Sequence, residues 1–165
     1  MDAMNSPVRT KSSFKSLLAI VKNDFPAIKF KKAEEFRWSA ETSTVYYTED
    51  TDNPIWSLLH EIGHMQSNHN VYSSDSGLIR MELEAWEKAK ILAEKYGHRI
   101  DSDHIEDCMD SYRNWQHKRS TCPVCTQTGI EKQTGEYLCI NCGSKWQVTP
   151  NRFCRVYRQT KRSQN

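Results

Sequence analysis

The stretch SLLHEIGHMQSNH, residues 57–69, decides how this chain is read. It sets His60 and His64 four residues apart around Glu61, in a run that also carries Ile55, Trp56, Leu58, Leu59 and Ile62. On an α-helix, residues four apart stand one turn above each other on one face, so both imidazoles can reach a single metal ion. Glu61 is turned away by about 100° and flanks that ion without binding it. From there its carboxylate can take a proton from a metal-bound water, whose pKa zinc brings to about 7, and later pass it to a leaving amine. The apolar neighbours mount the helix in a core, and Gly63 lets another segment come close. A helix that merely contains two histidines is the plain alternative, and the apolar embedding weighs against it.

A catalytic zinc normally keeps three protein ligands and one open position. The chain offers His69, Glu82, Glu84, His98 and His104 for the third. On a continuing helix, His69 lies about 140° off the His60–His64 face. That leaves it a solvated helix end or, at most, a group that orients substrate or steadies an oxyanion. Glu82 and Glu84 are two apart on the next helix, hence about 200° apart, and only one of them can face the metal. The spacing does not choose between them.

Upstream, SSFKSLLAIVKNDF puts Phe14, Leu17, Leu18 and Val21 at helical spacing, with Ser12 or Ser13 as N-cap and Pro26 as the stop. AIKFKKAEEFRWS and STVYYTE read as short strands, with AETS as a hairpin turn. The helix of the opening stretch starts near Asp52 or Asn53, with Pro54 in its first turn. SSDSG at 73–77 reads as a break, residues 78–96 as a helix ended by Gly97, and Asp101 or Ser102 as the start of another. Residue types change abruptly near Arg119. The chain therefore divides into a loose arm (1–11), an α+β domain (12–119), a cysteine segment (120–157) and a basic tail (158–165).

Cys122 and Cys125, then Cys139 and Cys142, form two C-x-x-C pairs separated by thirteen residues. Each pair suits a knuckle turn, and four thiolates satisfy a tetrahedral zinc ion. IEKQTGEYL between them suits a β-hairpin, so the segment reads as a zinc ribbon with a structural ion. Two disulfides would need an oxidising compartment. The N-terminus lacks the apolar core of a secretory signal, and no apolar run approaches the roughly 20 residues of a membrane span. The expectation is a cytoplasmic, intracellular chain with no membrane partner.

Cys108 reads as a buried helical thiol, and Cys154 has no assigned role. From Gly143 onward there are six basic residues (Lys145, Arg152, Arg155, Arg158, Lys161, Arg162) and no acidic one. With Trp146, Phe153 and Tyr157 they could neutralise and stack on a nucleic acid. The same aromatics could equally be the ribbon's core. Only 37% of the chain is hydrophobic, which suits a modest core with metal support.

HEIGH followed by ELEAWEKA resembles the gluzincin-like metallopeptidases, in which a glutamate on the second helix is the third zinc ligand. It most resembles the ImmA/IrrE-like group, over roughly residues 12–96. In that group the ligand stands three residues before a small residue packed on the active helix. Ala85 matches that residue, so the resemblance points to Glu82, with Glu84 as fallback. It implies a minimal zincin fold, made of an N-terminal helix, a small sheet, the HExxH helix and a second, Glu-bearing helix. It also implies a selective intracellular protease, such as one that cuts a repressor. Trp86 departs from the pattern, standing where a small polar residue is common. The appended ribbon is similar instead to SprT-like proteases, which act on DNA-bound proteins and take a histidine ligand from a Gly-His segment after HExxH. Here that dipeptide recurs only at Gly97-His98.

The expected activity is zinc-dependent cleavage of a protein substrate. Glu61 is the catalytic base, and His60, His64 and Glu82 hold a catalytic zinc. Cys122, Cys125, Cys139 and Cys142 hold a structural one. Tyr46, Tyr47 or Tyr72 could stabilise the oxyanion. The competing expectations are a SprT-like protease working on DNA-bound proteins and a non-enzymatic module in which both zinc sites are closed.

Overall fold

A computed structural model describes residues 13–149 and the backbone of residues 158–160. The N-terminal arm, Phe153, Cys154, Tyr157, Arg152, Arg155, Lys161 and Arg162 lie outside the described residues. Among the described residues, four helices and two small sheets make an α+β fold.

Helix α1 (Phe14–Asp24) is capped by Ser13, whose hydroxyl accepts from the Ser16 amide, and it buries Leu17, Leu18 and Val21. Three short strands follow, β1 (Lys29–Lys32), β2 (Arg37–Ser39) and β3 (Thr44–Tyr47). β3 is central, parallel to β1 and antiparallel to β2, and the β2–β3 turn closes at Ser43 with φ 49°. Helix α2 (Pro54–Gln66) begins with proline at its first position, where the missing N–H has no partner to lose. Its Leu58, Leu59 and Ile62 are fully buried, as is Val45 of the central strand.

Helix α3 (Asp75–Lys95) starts three residues earlier than its apolar spacing suggests. SSDSG is a cap rather than a break: the Ser74 hydroxyl accepts from the Gly77 amide at 3.0 Å, which satisfies one of the helix's first free N–H groups. A second, the Asp75 amide, donates to the Glu131 carboxylate at 2.7 Å, a partner far away in sequence. Gly97, at φ 75°, ends the helix as expected, with the His98 amide returning to the Ala93 carbonyl.

The chain forms two compact units, and α3 is one unbroken helix that contributes to both. One unit comprises the chain up to Asn70 together with Glu84–Asp101. Its core joins α1, α2 and β3 to Ala85, Trp86, Ala89, Leu92 and Ala93 of α3. Here α2 and α3 meet at backbone contact. A Cβ on Gly63 would overlap the Ala85 carbonyl oxygen and lie 3.0 Å from its carbon, so only glycine fits.

The other unit holds Val71–Leu83 and the chain from Ser102 on, including helix α4 (Ser102–Ser120). Its sheet runs β4 (Ile130–Gln133), β5 (Glu136–Leu138), β6 (Lys145–Val148) and β7 (Arg158–Thr160) in sequential order, each antiparallel to the next. β7 lies within the stretch read as a basic tail. The start of α3 is fixed here by a buried network. Asp75, fully buried, accepts from Arg119 Nε at 2.5 Å, from Arg119 Nη2 at 3.1 Å and from the Tyr137 hydroxyl at 2.5 Å. Arg119 also donates to the Thr149 carbonyl and lies 4.5 Å over the Trp115 ring. Two hydrogen bonds within the pair and two to further partners thus satisfy one buried ion pair, the condition under which such a pair is tolerated.

Candidate metal centres

The first site is built on α2. His60 and His64 point their Nε2 atoms together, 3.1 Å apart, from consecutive turns of one face. Two nitrogens held about 2.1 Å from one zinc at tetrahedral angles stand roughly 3.4 Å apart, so the pair is set at ligand spacing. Glu82 of α3 joins them: one donor atom from each of the three residues lies within 4.8 Å of the others. His60 and Glu82 are buried, and the Trp86 ring lies 4.2 Å from the His60 ring at a tilt of 32°. The departure at Trp86 therefore supplies a wall that fixes the first histidine.

Glu61 stays outside this group, as helix geometry requires. Its carboxylate accepts the Trp38 backbone N–H at 2.7 Å, so the edge strand β2 fixes the orientation of the group. Nothing in the sequence pattern pointed to Trp38 beyond its place in a short strand upstream of the helix.

Glu84 does not join the three-residue group; its carboxylate meets His69 Nε2 at 3.0 Å. The residue named as fallback thus takes a different partner, one that itself touches the far nitrogen of His64. His69 itself corrects an expectation. It is 8% exposed, not a solvated end, because α2 stops at Gln66 instead of continuing. The Asn68 amide returns to the Met65 carbonyl and the His69 amide to the His64 carbonyl, with Asn68 at φ 53°. This is a Schellman ending, and it folds the residue after the left-handed position back over the last turn. His69 Nδ1 lands 2.9 Å from His64 Nδ1. The signal was legible: Asn is the commonest non-glycine residue to take that conformation.

His98 and His104 fall in neither metal-spaced group among the described residues. His104 Nε2 lies 3.7 Å from Cys108, which is part-exposed rather than buried. Of the tyrosines, Tyr46 carries Arg37 over its ring and Tyr47 packs against Phe14, while Tyr72 lies beside the start of α3.

The second site is the four-cysteine cluster Cys122, Cys125, Cys139 and Cys142. Cys122 and Cys142 sulfurs are 3.7 Å apart and Cys125 and Cys139 sulfurs 3.4 Å, far beyond a disulfide bond. Four sulfurs about 2.3 Å from one tetrahedral ion stand roughly 3.8 Å apart, so the donor set fits. The two knuckles match: the Thr126 amide returns to the Cys122 carbonyl and the Gly143 amide to the Cys139 carbonyl, both residues at positive φ.

Donors around the sulfurs tune them. The Ser144 hydroxyl and backbone N–H pull the Cys142 thiol down to about 6. The Gln127 backbone and the Asn141 amide lower Cys125. For Cys139 the largest influence, the Cys142 backbone N–H, pulls down, yet burial and the Cys125 thiol together push it up to about 11.

Trp146, offered from the sequence as a stacking platform, is 1% exposed. It stacks on Tyr137 at 5.5 Å and donates its indole N–H to the Arg119 carbonyl. With Cys122 and Cys139 it forms the ribbon's small core.

The chain matches no family model, and comparison with curated proteins and with solved structures gives no match either. Among the described residues, no helix is long and apolar enough to cross a membrane.

Proposed function

We propose that this chain is a zinc-dependent metallopeptidase that cleaves a protein substrate, with a minimal zincin arrangement like that of the ImmA/IrrE-like group. The observation that carries the reading is the His60, His64 and Glu82 donor set, with Glu61 of the same helix as the histidines outside it and bound to the Trp38 amide. Two imidazoles and one carboxylate suit zinc, and a bound zinc ion would supply Lewis-acid polarisation and an activated water. Glu61 would accept the proton of that water and return it to the leaving amine. The Trp38 N–H would hold that carboxylate in one orientation during the transfer. The four cysteines would hold the second, structural zinc in a compartment that keeps thiols reduced, hence inside the cell.

The first group has three donors among the described residues, which supports an open position over a closed structural site. The carboxylate third donor favours the glutamate-ligand reading over the SprT-like one, which takes a histidine. The burial of Trp146 removes one of the aromatics on which nucleic-acid stacking would rely.

The test is metal content and proteolysis of the wild type beside Glu61→Gln. The expected result is two zinc ions in both proteins and a loss of cleavage of about 10²–10⁴-fold in the variant. Full cleavage by Glu61→Gln, with both ions retained, would remove the catalytic assignment.

A further inference from the structure

We propose that His69 and Glu84 are positioning residues of the first metal centre: they hold the His64 ring in the orientation and tautomer that present Nε2 to the metal. The inference rests on the metal-site reading above and names two residues that reading does not use.

The chain of contacts runs from a half-exposed carboxylate to a metal-facing nitrogen. Glu84 Oε2 stands 3.0 Å from His69 Nε2, His69 Nδ1 stands 2.9 Å from His64 Nδ1, and His64 Nε2 stands 3.1 Å from His60 Nε2. For neutral rings the donor and acceptor roles follow from chemistry. A carboxylate only accepts, so His69 carries its proton on Nε2 and offers a lone pair at Nδ1. His64 therefore donates from Nδ1, which leaves its Nε2 lone pair for a metal. A metal-bound histidine generally needs such a partner on its other nitrogen, to fix the ring and to make it a better donor.

The relay is held in place, not loosely adjacent. The His69 backbone is fixed at both ends, its N–H to the His64 carbonyl at 3.0 Å and its C=O to the Trp38 indole at 3.1 Å. His69 is 8% exposed, while the Glu84 side chain is 53% exposed. A surface ion pair placed only for stability has no need of a buried histidine against a ligand ring, and is worth little. The geometry also gives both glutamates of the MELEAW stretch a task, Glu82 in the donor set and Glu84 behind His69.

The experiment uses the full chain loaded with cobalt(II). Thiolate-to-cobalt charge-transfer bands mark the ribbon ion, so the ligand-field bands of the first site are read separately, and a competing chelator gives its affinity. His69→Leu and Glu84→Ala are expected to weaken the first site about 10–100-fold and to alter its ligand-field bands, with the ribbon bands unchanged. His69→Asn, which keeps an acceptor near the Nδ1 position, is expected to restore much of the loss. Because Glu84 is on the surface, its variant folds even if a change at His69 disturbs the loop. Two cobalt ions bound by Glu84→Ala with wild-type affinity and bands, and only a changed melting temperature, would overturn this inference and leave the proposed function standing. Uptake of ribbon cobalt alone by the wild type would overturn both.

Discussion

Replacing Gly63 by alanine sets two expectations of opposite sign against each other. In a helix interior the change ordinarily stabilises by about 1 kcal/mol, because glycine loses more backbone freedom on folding. Here the new Cβ would overlap the Ala85 carbonyl oxygen and come within 3.0 Å and 3.1 Å of the Ala85 carbon and Cα. These are backbone atoms of a packed helix and cannot rotate aside. Overpacking of this kind costs about 1–3 kcal/mol, and a rigid partner puts it at the upper end. The net expectation is a loss of roughly 2 kcal/mol, or a melting temperature lower by about 4–8 °C for a chain of this size. Relief of the overlap needs α3 to retreat on the order of 1 Å. Glu82 stands one turn before Ala85 and would move with it, so the first metal site should weaken while the ribbon keeps its ion. The assay is calorimetry of the zinc-loaded protein with a parallel cobalt titration. A melting temperature that rises by a few degrees, with both metals bound as in the wild type, would show that the helices do not meet at Gly63.

Three further outcomes are expected. Arg119→Ala strands the buried Asp75 carboxylate and should cost about 3–5 kcal/mol, while Asp75→Leu combined with Arg119→Met should recover much of that in denaturant melts; a loss under about 1 kcal/mol for Arg119→Ala would mean that water reaches the pair. Stripping metal with a chelator should weaken, without abolishing, the near-ultraviolet dichroism of the Tyr137–Trp146 stack, since two of the ribbon's four core residues are metal-spaced cysteines; a signal unchanged after complete stripping would count against a metal-held ribbon. In metal-free protein at pH 7, iodoacetamide should modify exposed Cys142 first, with a rate that rises through about pH 6, and peptide mass mapping reads the order. The sign follows from the lowered value: the anion favours the folded metal-free ribbon above the ordinary thiol range near 9, and that benefit is lost as pH falls through about 6.

The features legible in the sequence were those set by local periodicity. Four-residue spacing alone put His60 and His64 on one face and turned Glu61 away from it. Two C-x-x-C pairs and the hairpin-like IEKQTGEYL between them announced the ribbon, because knuckles and hairpins are closed by residues a few positions apart. Ser13, Pro54 and Gly97 marked helix ends for the same reason. His69 was misplaced although its signal was local: the helix was continued through Asn68, whose left-handed backbone instead turned the chain back.

What tertiary structure alone decided is how α3 is set. Spacing leaves only one of Glu82 and Glu84 able to join His60 and His64, since they are about 200° apart on a helix. Which one does so depends on how α3 is rotated about its axis. That rotation is fixed where Gly63 admits the Ala85 backbone. The start of the same helix was likewise hidden, because Asp75 is held by Arg119, Glu131 and Tyr137, residues 44 to 62 positions away. Local sequence determines which way a side chain points from its own helix; only packing between distant segments determines what it points at.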